Sequence, residues 1–242
     1  MRILITNDDG ILAEGLIRLA EAAKALGEVW VVAPDGERSA ASHSITLRDP
    51  LDVYPVPEFP VKGVHAFSCT GTPADCVRVG SLAVMPEKPE VLLSGINYGF
   101  NTASDIQYSA TCGAAFEGAF QGMLSIAVSE KACPCHEVTD RQLLPVLEEL
   151  IRCGKPEGNH TIYNVNFPGC RAEEFRGVLR ERSVSQSTFY HDSYKSLQKL
   201  ENGGVRYMVE GLYQETCEEG TDMRAVVEGY VSIGIVRNVG SA

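Results

Sequence analysis

Residues 1–34, MRILITNDDGILAEGLIRLAEAAKALGEVWVVAP, carry the pattern that decides the fold. RILIT at 2–6 is a short apolar run that ends in Asn-Asp-Asp-Gly, and the segment that follows, as far as Gly27, has apolar residues at helical spacing. VWVVAP at 29–34 is a second run typical of a buried strand. A strand, a helix and a strand in so few residues form a βαβ unit, so the sheet is predicted to begin with parallel strands.

The same alternation continues through most of the chain. Further strands are predicted at VHAFSC (64–69), EVLLSG (90–95), LSIAVS (124–129) and HTIYNVNFP (160–168). Helices are predicted at TPADCVRVGSLAVM (72–85), TCGAAFEGAFQG (111–122) and TDRQLLPVLEELIRC (139–153). Strands joined so often by helices indicate a Rossmann-like, doubly wound α/β fold with a mostly parallel sheet.

The character of the sequence changes near residue 183. Residues 184–224 are polar, and SQSTFYHDSY (185–194) and RYMVEGLY (206–213) are predicted to be the arms of a hairpin. VVEGYVSIGIV (226–236) is predicted to be a further strand. We therefore expect a catalytic domain over 1–183 and a hairpin and oligomerisation extension over 184–242, since a protruding arm suits exchange between subunits.

The composition restricts the partners. A formal net charge of -11 disfavours binding to a nucleic-acid duplex or an anionic membrane, although a bound cation would allow an anionic small substrate. No apolar run approaches the ~20 residues of a membrane-spanning helix. The 8 cysteines lie mostly in apolar or ordinary segments, and the sequence starts directly with a predicted strand; both features favour a cytoplasmic protein with reduced thiols.

Two adjacent carboxylates, Asp8 and Asp9, follow the first predicted strand. In an open parallel sheet, ligands bind beyond the carboxyl ends of the strands, and Gly10 allows a turn that brings both side chains together. Neighbouring carboxylates repel each other unless a cation or donors lie between them, and hard oxygen ligands suit Mg²⁺, Mn²⁺ or Ca²⁺. The alternative is a helix N-cap, which is a common role for aspartate.

The loop at 35–46, after the second predicted strand, is rich in hydroxyl groups around His43. These hydroxyls, Ser39 among them, could ligate a metal weakly or donate to phosphate, and His43 could bind phosphate or assist proton transfer. The alternative is a solvated loop with local side-chain turns.

A third candidate loop runs from Asn97 past Asn101 to Thr111. Asn97 lies just beyond the EVLLSG strand, level with the aspartate pair if the two strands are neighbours, and its amide oxygen is a plausible neutral metal ligand. Ser109 and Thr111 lie at the start of a predicted helix, where free N–H groups and the helix dipole attract anions. Simple capping is the alternative for both residues.

Several other kinds of site are disfavoured. The sequence has no G-x-x-x-x-G-K-[ST], and strand one is not followed by G-x-G-x-x-G, so neither a P-loop nor a nicotinamide site is predicted. It lacks the G-x-S-x-G elbow of serine hydrolases. The Asp-Asp pair also differs from the Asp-x-Asp pattern of aspartyl-phosphate enzymes, which argues against a covalent route.

Taken together, the motifs resemble the SurE family, the stationary-phase survival protein group of 5'-nucleotidases. The matching stretches are MRILITNDDGI (1–11), VVAPDGERSAASHSITL (31–47), CTGTPADCV (69–77), LLSGINYGFN (92–101) with Asp105, YSATCGAAFEG (108–118), SIAVS (125–129), NVNFP (164–168) and TDMRAVVEGYVSI (221–233). They keep the family's order from the first residue to near the last.

The resemblance implies a nucleoside monophosphate phosphohydrolase with one divalent cation per subunit, Mg or Mn, in a homodimer or homotetramer that exchanges C-terminal segments. The family's metal ligands fall on Asp8, Asp9, Ser39 and Asn97, and its phosphate-side loop falls on Tyr108 to Thr111. We predict substrate contacts at the following residues: His43, Asn101, Ser109 and Thr111.

The chain departs from the family where glycine is frequent. Ala40, Ala103 and Ala110 stand at such positions, and an alanine that must adopt a positive φ would cost about 1 kcal/mol. Ala110 could also crowd an approaching phosphate.

The residues predict metal-assisted hydrolysis of a phosphate ester, and the resemblance implies nucleoside 5'-monophosphates as substrates, with 3'-monophosphates and polyphosphate as further candidates. Asp8 or Asp9 would accept the proton of the attacking water. The alternatives are a nucleotide-binding regulatory protein that has lost turnover and a structural oligomeric module.

Overall fold

A computed structural model describes residues 1–157, 160–188, 190–213 and 216–238. Nine strands form one sheet in the order β3-β4-β2-β1-β5-β6-β7-β11-β8. Their bounds are β1 Arg2–Thr6, β2 Glu28–Pro34, β3 Val53–Pro55, β4 His65–Cys69, β5 Val91–Tyr98, β6 Leu124–Glu130, β7 Thr161–Phe167, β8 Gly177–Leu179 and β11 Tyr230–Arg237. The six strands from β4 to β7 are parallel neighbours, so the predicted Rossmann-like α/β fold is confirmed.

The helices cover both faces of this sheet. They are α1 Glu14–Ala23, α2 Pro73–Val79, α3 Ala110–Phe120, α4 Glu137–Cys153 and the short α5 Asp222–Val227. Alternate residues of β1 pack on opposite sides: Ile3 joins the core under α1 and α4, whereas Leu4 joins the core with α2 and α3. Because both faces are covered, the central strands are apolar without alternation, which explains the runs seen in the sequence.

Two predicted elements have different bounds in the structure. The α-helix predicted at 72–85 ends at Val79, and Gly80–Val84 continue it as a wider π-helical turn. The strand predicted at 226–236 begins only at Tyr230, since Val226 and Val227 end α5 and Gly229 follows with a φ of 86°. The helix cap at Thr221, whose hydroxyl accepts from Arg224 N, holds this segment in a helix.

The hairpin predicted in the last quarter of the chain is present. Strands β9 (Tyr190–Lys199) and β10 (Val205–Tyr213) form a separate antiparallel pair; Phe189, within its first predicted arm, lies outside the described residues. Residues 230–237 then return to the main sheet, where β11 pairs antiparallel with β7. The domain boundary at 183/184 stays a prediction, because residues beyond it supply both the hairpin and a strand of the sheet.

No helix in the described ranges is long and apolar enough to cross a membrane.

Candidate active site

The main cleft lies where the winding of the sheet reverses. From β1 the chain adds β2 and β4 on one side, and then crosses to add β5, β6 and β7 on the other. Ligands bind at such a switch point, beyond the carboxyl ends of the strands. A cleft of about 890 Å³ is present there, and its lining includes Asp8 and Asp9 after β1 and Asn97 near the end of β5.

Asp8 is the most deeply placed of these groups. The residue is 4 % exposed, and its Oδ1 accepts a hydrogen bond of 2.5 Å from the Thr111 hydroxyl. Burial, with smaller contributions from the charges of Asp9 and Glu37, raises the pKa of Asp8 to about 6, although the Thr111 bond opposes this. A neighbouring positive charge would remove the cost of keeping Asp8 ionised.

Asp9 and Asn97 approach from the two adjoining strand ends. Asp9 Oδ2 accepts from the backbone N–H of Tyr98 at 3.3 Å, and burial raises the pKa of Asp9. Asn97 donates its amide Nδ2 to Gly99 O at 2.8 Å, which leaves the amide oxygen directed elsewhere. The structure therefore brings the three residues to one region, as the strand-end rule predicts.

Ser39 reaches the cleft from the loop after β2. It is exposed, and its hydroxyl donates to Glu37 Oε1 at 2.7 Å. A hydroxyl that donates to a carboxylate keeps its lone pairs for a further partner. Glu37 thus orients Ser39, a role that the sequence reading did not assign.

The four predicted substrate contacts are placed differently. Asn101 and Ser109 line the cleft; Asn101 Nδ2 donates to Ser129 Oγ, and Ser109 caps α3 by accepting from Cys112 N. Thr111 is fully buried beneath Asp8. His43 is absent from the cleft lining, and its Nε2 lies 3.0 Å from Glu117 Oε2.

Two of the three alanines have a positive φ. Ala40 has a φ of 56° and Ala103 a φ of 53°, a left-handed conformation that favours glycine. Ala110 instead begins α3, fully buried. The conformational argument therefore applies to Ala40 and Ala103 but not to Ala110.

A charged cluster on one wall of the cleft was not predicted. It consists of Arg18 on α1, Glu130 at the end of β6, and His136 and Asp140 at the start of α4. Arg18 binds Glu130 at 2.6 Å and Asp140 at 2.5 Å. Glu130 directly follows the SIAVS strand, so the same strand-end rule could have identified it, whereas Arg18 lies within a helical pattern that carries no such signal.

The donor chemistry fits a divalent cation. Seven carboxylate residues and a single arginine line the cleft, among the residues that the structure describes: Asp8, Asp9, Glu14, Glu37, Asp105, Glu130 and Asp192, with Arg18. The described ranges hold no group of three or more His, Cys, Asp or Glu arranged to bind a metal, so a cation here would need the neutral oxygens of Ser39 and Asn97 beside the two aspartates.

Comparisons with known proteins show which family the chain is similar to. A sequence model described as "Survival protein SurE" matches residues 3–189. A relative in Erythrobacter litoralis, named 5'-nucleotidase SurE, is 39% identical over 96% of this chain and 92% of its own length. One of the same name in Thermoanaerobacter sp. is 37% identical over 96% of this chain and 90% of its own.

A solved structure shows the same fold. The SurE protein from Aquifex aeolicus superposes with a TM-score of 0.83 at 33% identity, and the match covers 100% of this chain and 95% of that one. The family match spans most of the chain, and the relatives match nearly all of it. The chain therefore belongs to the SurE family.

Proposed function

We propose that the protein hydrolyses nucleoside 5'-monophosphates to nucleoside and phosphate, with water as the nucleophile and a divalent cation, Mg or Mn, held by Asp8, Asp9, Ser39 and Asn97. One observation carries the proposal: carboxylates dominate the lining of the cleft at the switch point. An anionic phosphate ester would be repelled from such a cleft unless a cation joined it there. The relatives named 5'-nucleotidase SurE support the choice of substrate.

Asp9 is the better placed of the two aspartates to accept the proton of the attacking water. Asp8 Oδ1 is engaged by Thr111 and the carboxyl is buried, whereas Asp9 is half-buried and faces the cleft. A bound cation would polarise the phosphoryl oxygen and lower the pKa of the water.

The start of α3 would receive the phosphate. Ser109 lines the cleft and caps the helix, and the first N–H groups of a helix have no partner within it. Such groups bind anions and stabilise the charge that develops on phosphorus. Asn101, held by Ser129 and Asn166, lies in the same lining.

The test is phosphate release from nucleotides with Mg²⁺ or Mn²⁺, before and after exhaustive chelation. We expect chelation to abolish release, and Asp9→Asn to lower kcat/KM at least 100-fold by loss of a ligand and proton acceptor. Asp49→Asn, which removes an exposed charge outside the cleft lining, is the matched control. Full activity after chelation would overturn the proposal.

A nucleotide-binding protein without turnover is the second candidate. The left-handed alanines Ala40 and Ala103 favour it, because both line or adjoin loops of the site and strain there could impair catalysis. Cation-dependent nucleotide binding without any phosphate release would support this reading against hydrolysis.

The remaining expectations stay predictions. The hairpin exposes large apolar side chains, with Leu212 at 75% and Tyr194 at 70%, and such surfaces mark interaction sites. This supports the proposed homodimer or homotetramer with exchanged C-terminal segments. Hydrolysis of 3'-monophosphates or polyphosphate and the cytoplasmic location are proposed on the family resemblance and the thiol content.

A further inference from the structure

We propose that His136 is a specificity-determining residue that hydrogen-bonds a ribose hydroxyl of the nucleotide, and that Arg18 and Glu130 are positioning residues which hold its ring. The inference rests on the proposed function and extends it to the sugar. It comes from the charged cluster on the cleft wall, which plays no part in the cation site or the phosphate site.

Arg18 is the centre of that cluster. Its Nη1 lies 2.6 Å from Glu130 Oε1 and 3.2 Å from His136 Nδ1, and Nη2 contacts Glu130 Oε2 at 3.3 Å and Asp140 Oδ1 at 2.5 Å. Nε also donates to Asp140 at 2.8 Å. Four of the five guanidinium N–H groups thus have a carboxylate partner, and the fifth, on Nη1, lies beside His136 Nδ1. These contacts hold the guanidinium within the cluster.

Glu130 is equally constrained. Its side chain is 3 % exposed, and Oε1 receives both Arg18 and, at 3.0 Å, His136 Nδ1. A buried carboxylate is maintained by such pairing. The pairing also fixes the orientation of the imidazole, because Nδ1 is directed at the charged pair.

His136 is left with one ring nitrogen for a ligand. Its side chain is 21 % exposed and lines the cleft, and the contacts found within the described ranges give Nε2 no partner. Whichever tautomer is present, Nε2 can donate to or accept from a hydroxyl group. A polar atom held rigidly by neighbouring charges suits recognition rather than mere solvation.

The register of the sheet puts Glu130 one strand away from the proposed cation ligand Asn97. Asn97 and Tyr98 on β5 pair with Ser129 and Glu130 on β6, so the cluster lies one strand, ~4.8 Å, beyond the proposed cation ligand. In this proposal, the ribose of a nucleotide whose 5'-phosphate lies at the cation extends from β5 towards β6, where His136 lines the cleft. In dinucleotide-binding sheets, an acidic residue at a strand end accepts a hydrogen bond from a ribose hydroxyl in a comparable position.

The experiment compares kcat/KM for adenosine 5'-monophosphate, its 2'-deoxy and 3'-deoxy analogues, and phenyl phosphate, which has no sugar. We expect the wild type to prefer the ribonucleotide over at least one deoxy analogue, and His136→Ala to erase that preference with a five- to tenfold loss on the ribonucleotide alone. Glu130→Gln should weaken the preference for the ribonucleotide. His136→Gln, which keeps a polar side chain, should retain part of the preference that His136→Ala loses. His65→Ala, on β4 outside the cleft lining, should behave like the wild type.

Two outcomes would overturn the inference. One is an unchanged ribose preference in His136→Ala. The other is an equal loss on all four substrates, phenyl phosphate included, which would indicate a structural or chemical role. The proposed function is judged separately from the wild type alone: phosphate release from phenyl phosphate but from no nucleotide would refute it before any variant is compared.

Discussion

The Thr111 hydroxyl donates a hydrogen bond of 2.5 Å to Asp8 Oδ1, and both side chains are buried. The bond connects the first turn of α3 to the end of β1, although 103 positions separate the two residues. It holds the carboxyl at the base of the cleft, where burial raises its pKa to about 6. Asp8 is therefore kept in place at a cost to the stability of the cation-free protein.

Replacing Asp8 by asparagine should stabilise the cation-free protein. The folded-state pKa of Asp8 is raised above its unfolded value, so the folded protein holds this proton more tightly than the unfolded chain. The free energy of unfolding therefore falls as pH rises from 3.8 to about 6, and it stays lower above that range. At pH 7 we expect Asp8→Asn to add about 1–3 kcal/mol, measured by denaturant unfolding in chelator. The gain should vanish near pH 3.5, where both states bind the proton.

The same variant should lose the stabilisation that Mg²⁺ or Mn²⁺ gives the wild type. Asp49→Asn, with the same change in charge at an exposed site, controls for net charge. A variant that is less stable than the wild type at pH 7 without cation would contradict the burial argument.

Ala40→Gly should stabilise the protein by about 1 kcal/mol, because φ is 56° and the methyl group is exposed. Ala103→Gly relieves a similar strain, but Ala103 is buried with Met223 and Val226, and removal of its methyl group should offset the gain. Thermal unfolding of both variants tests the difference. Ala110→Gly, within helix α3, should be neutral or destabilising.

Alanine substitutions at Gly113 and Gly118, both on α3, should distinguish an effect on activity from an effect on stability. A β-carbon on Gly113 would collide with Ser42 O in the loop that carries Ser39, whereas one on Gly118 would collide with Leu92 Cδ2 in the core. Gly113→Ala should displace the loop and lower kcat/KM for nucleotides by ten-fold or more. Gly118→Ala should lower the free energy of unfolding by ~1–3 kcal/mol, the usual cost of overpacking a core. The kcat of the folded protein should be unchanged.

Equal kinetic losses in the two glycine variants would show that the position of the Ser39 loop does not limit the reaction.

His43 should act through Glu117 rather than through substrate. Burial raises the pKa of Glu117, but hydrogen bonds from His43 and Gln121 and the charge of Arg78 outweigh it and hold the pKa below 4.5. A depressed carboxyl pKa contributes stability above the unfolded value that is lost as pH falls through the folded one. We expect His43→Ala to cost about 1–2 kcal/mol at pH 7, measured by chemical denaturation, and less once the pH has fallen below the depressed pKa of Glu117.

Phosphate release by His43→Ala should match the wild type, because the ring is outside the cleft lining. A rise in KM of ten-fold with unchanged stability would instead support the substrate contact predicted from the sequence.

The sequence alone predicts the parallel sheet because strands covered on both faces must be apolar throughout, as RILIT and VWVVAP are. It also locates Asp8, Asp9 and Asn97, because polar residues directly after such strands lie at the edge where ligands bind. These inferences use only local patterns. The predicted limits of α2 and β11 were wrong, since the periodic pattern does not report the π-helical turn after Val79 or the local Thr221 cap that holds α5.

Only the tertiary structure decided which distant residues meet. Thr111 reaches Asp8, His43 turns to Glu117, and Arg18 joins Glu130 to His136. None of these pairs has a spacing that a periodic pattern reports, because each joins elements whose packing depends on the order of the strands. Asp8 and Asp9 are adjacent in the sequence, yet the fold buries one against α3 and leaves the other half-buried at the cleft, and that difference in burial separates their chemistry.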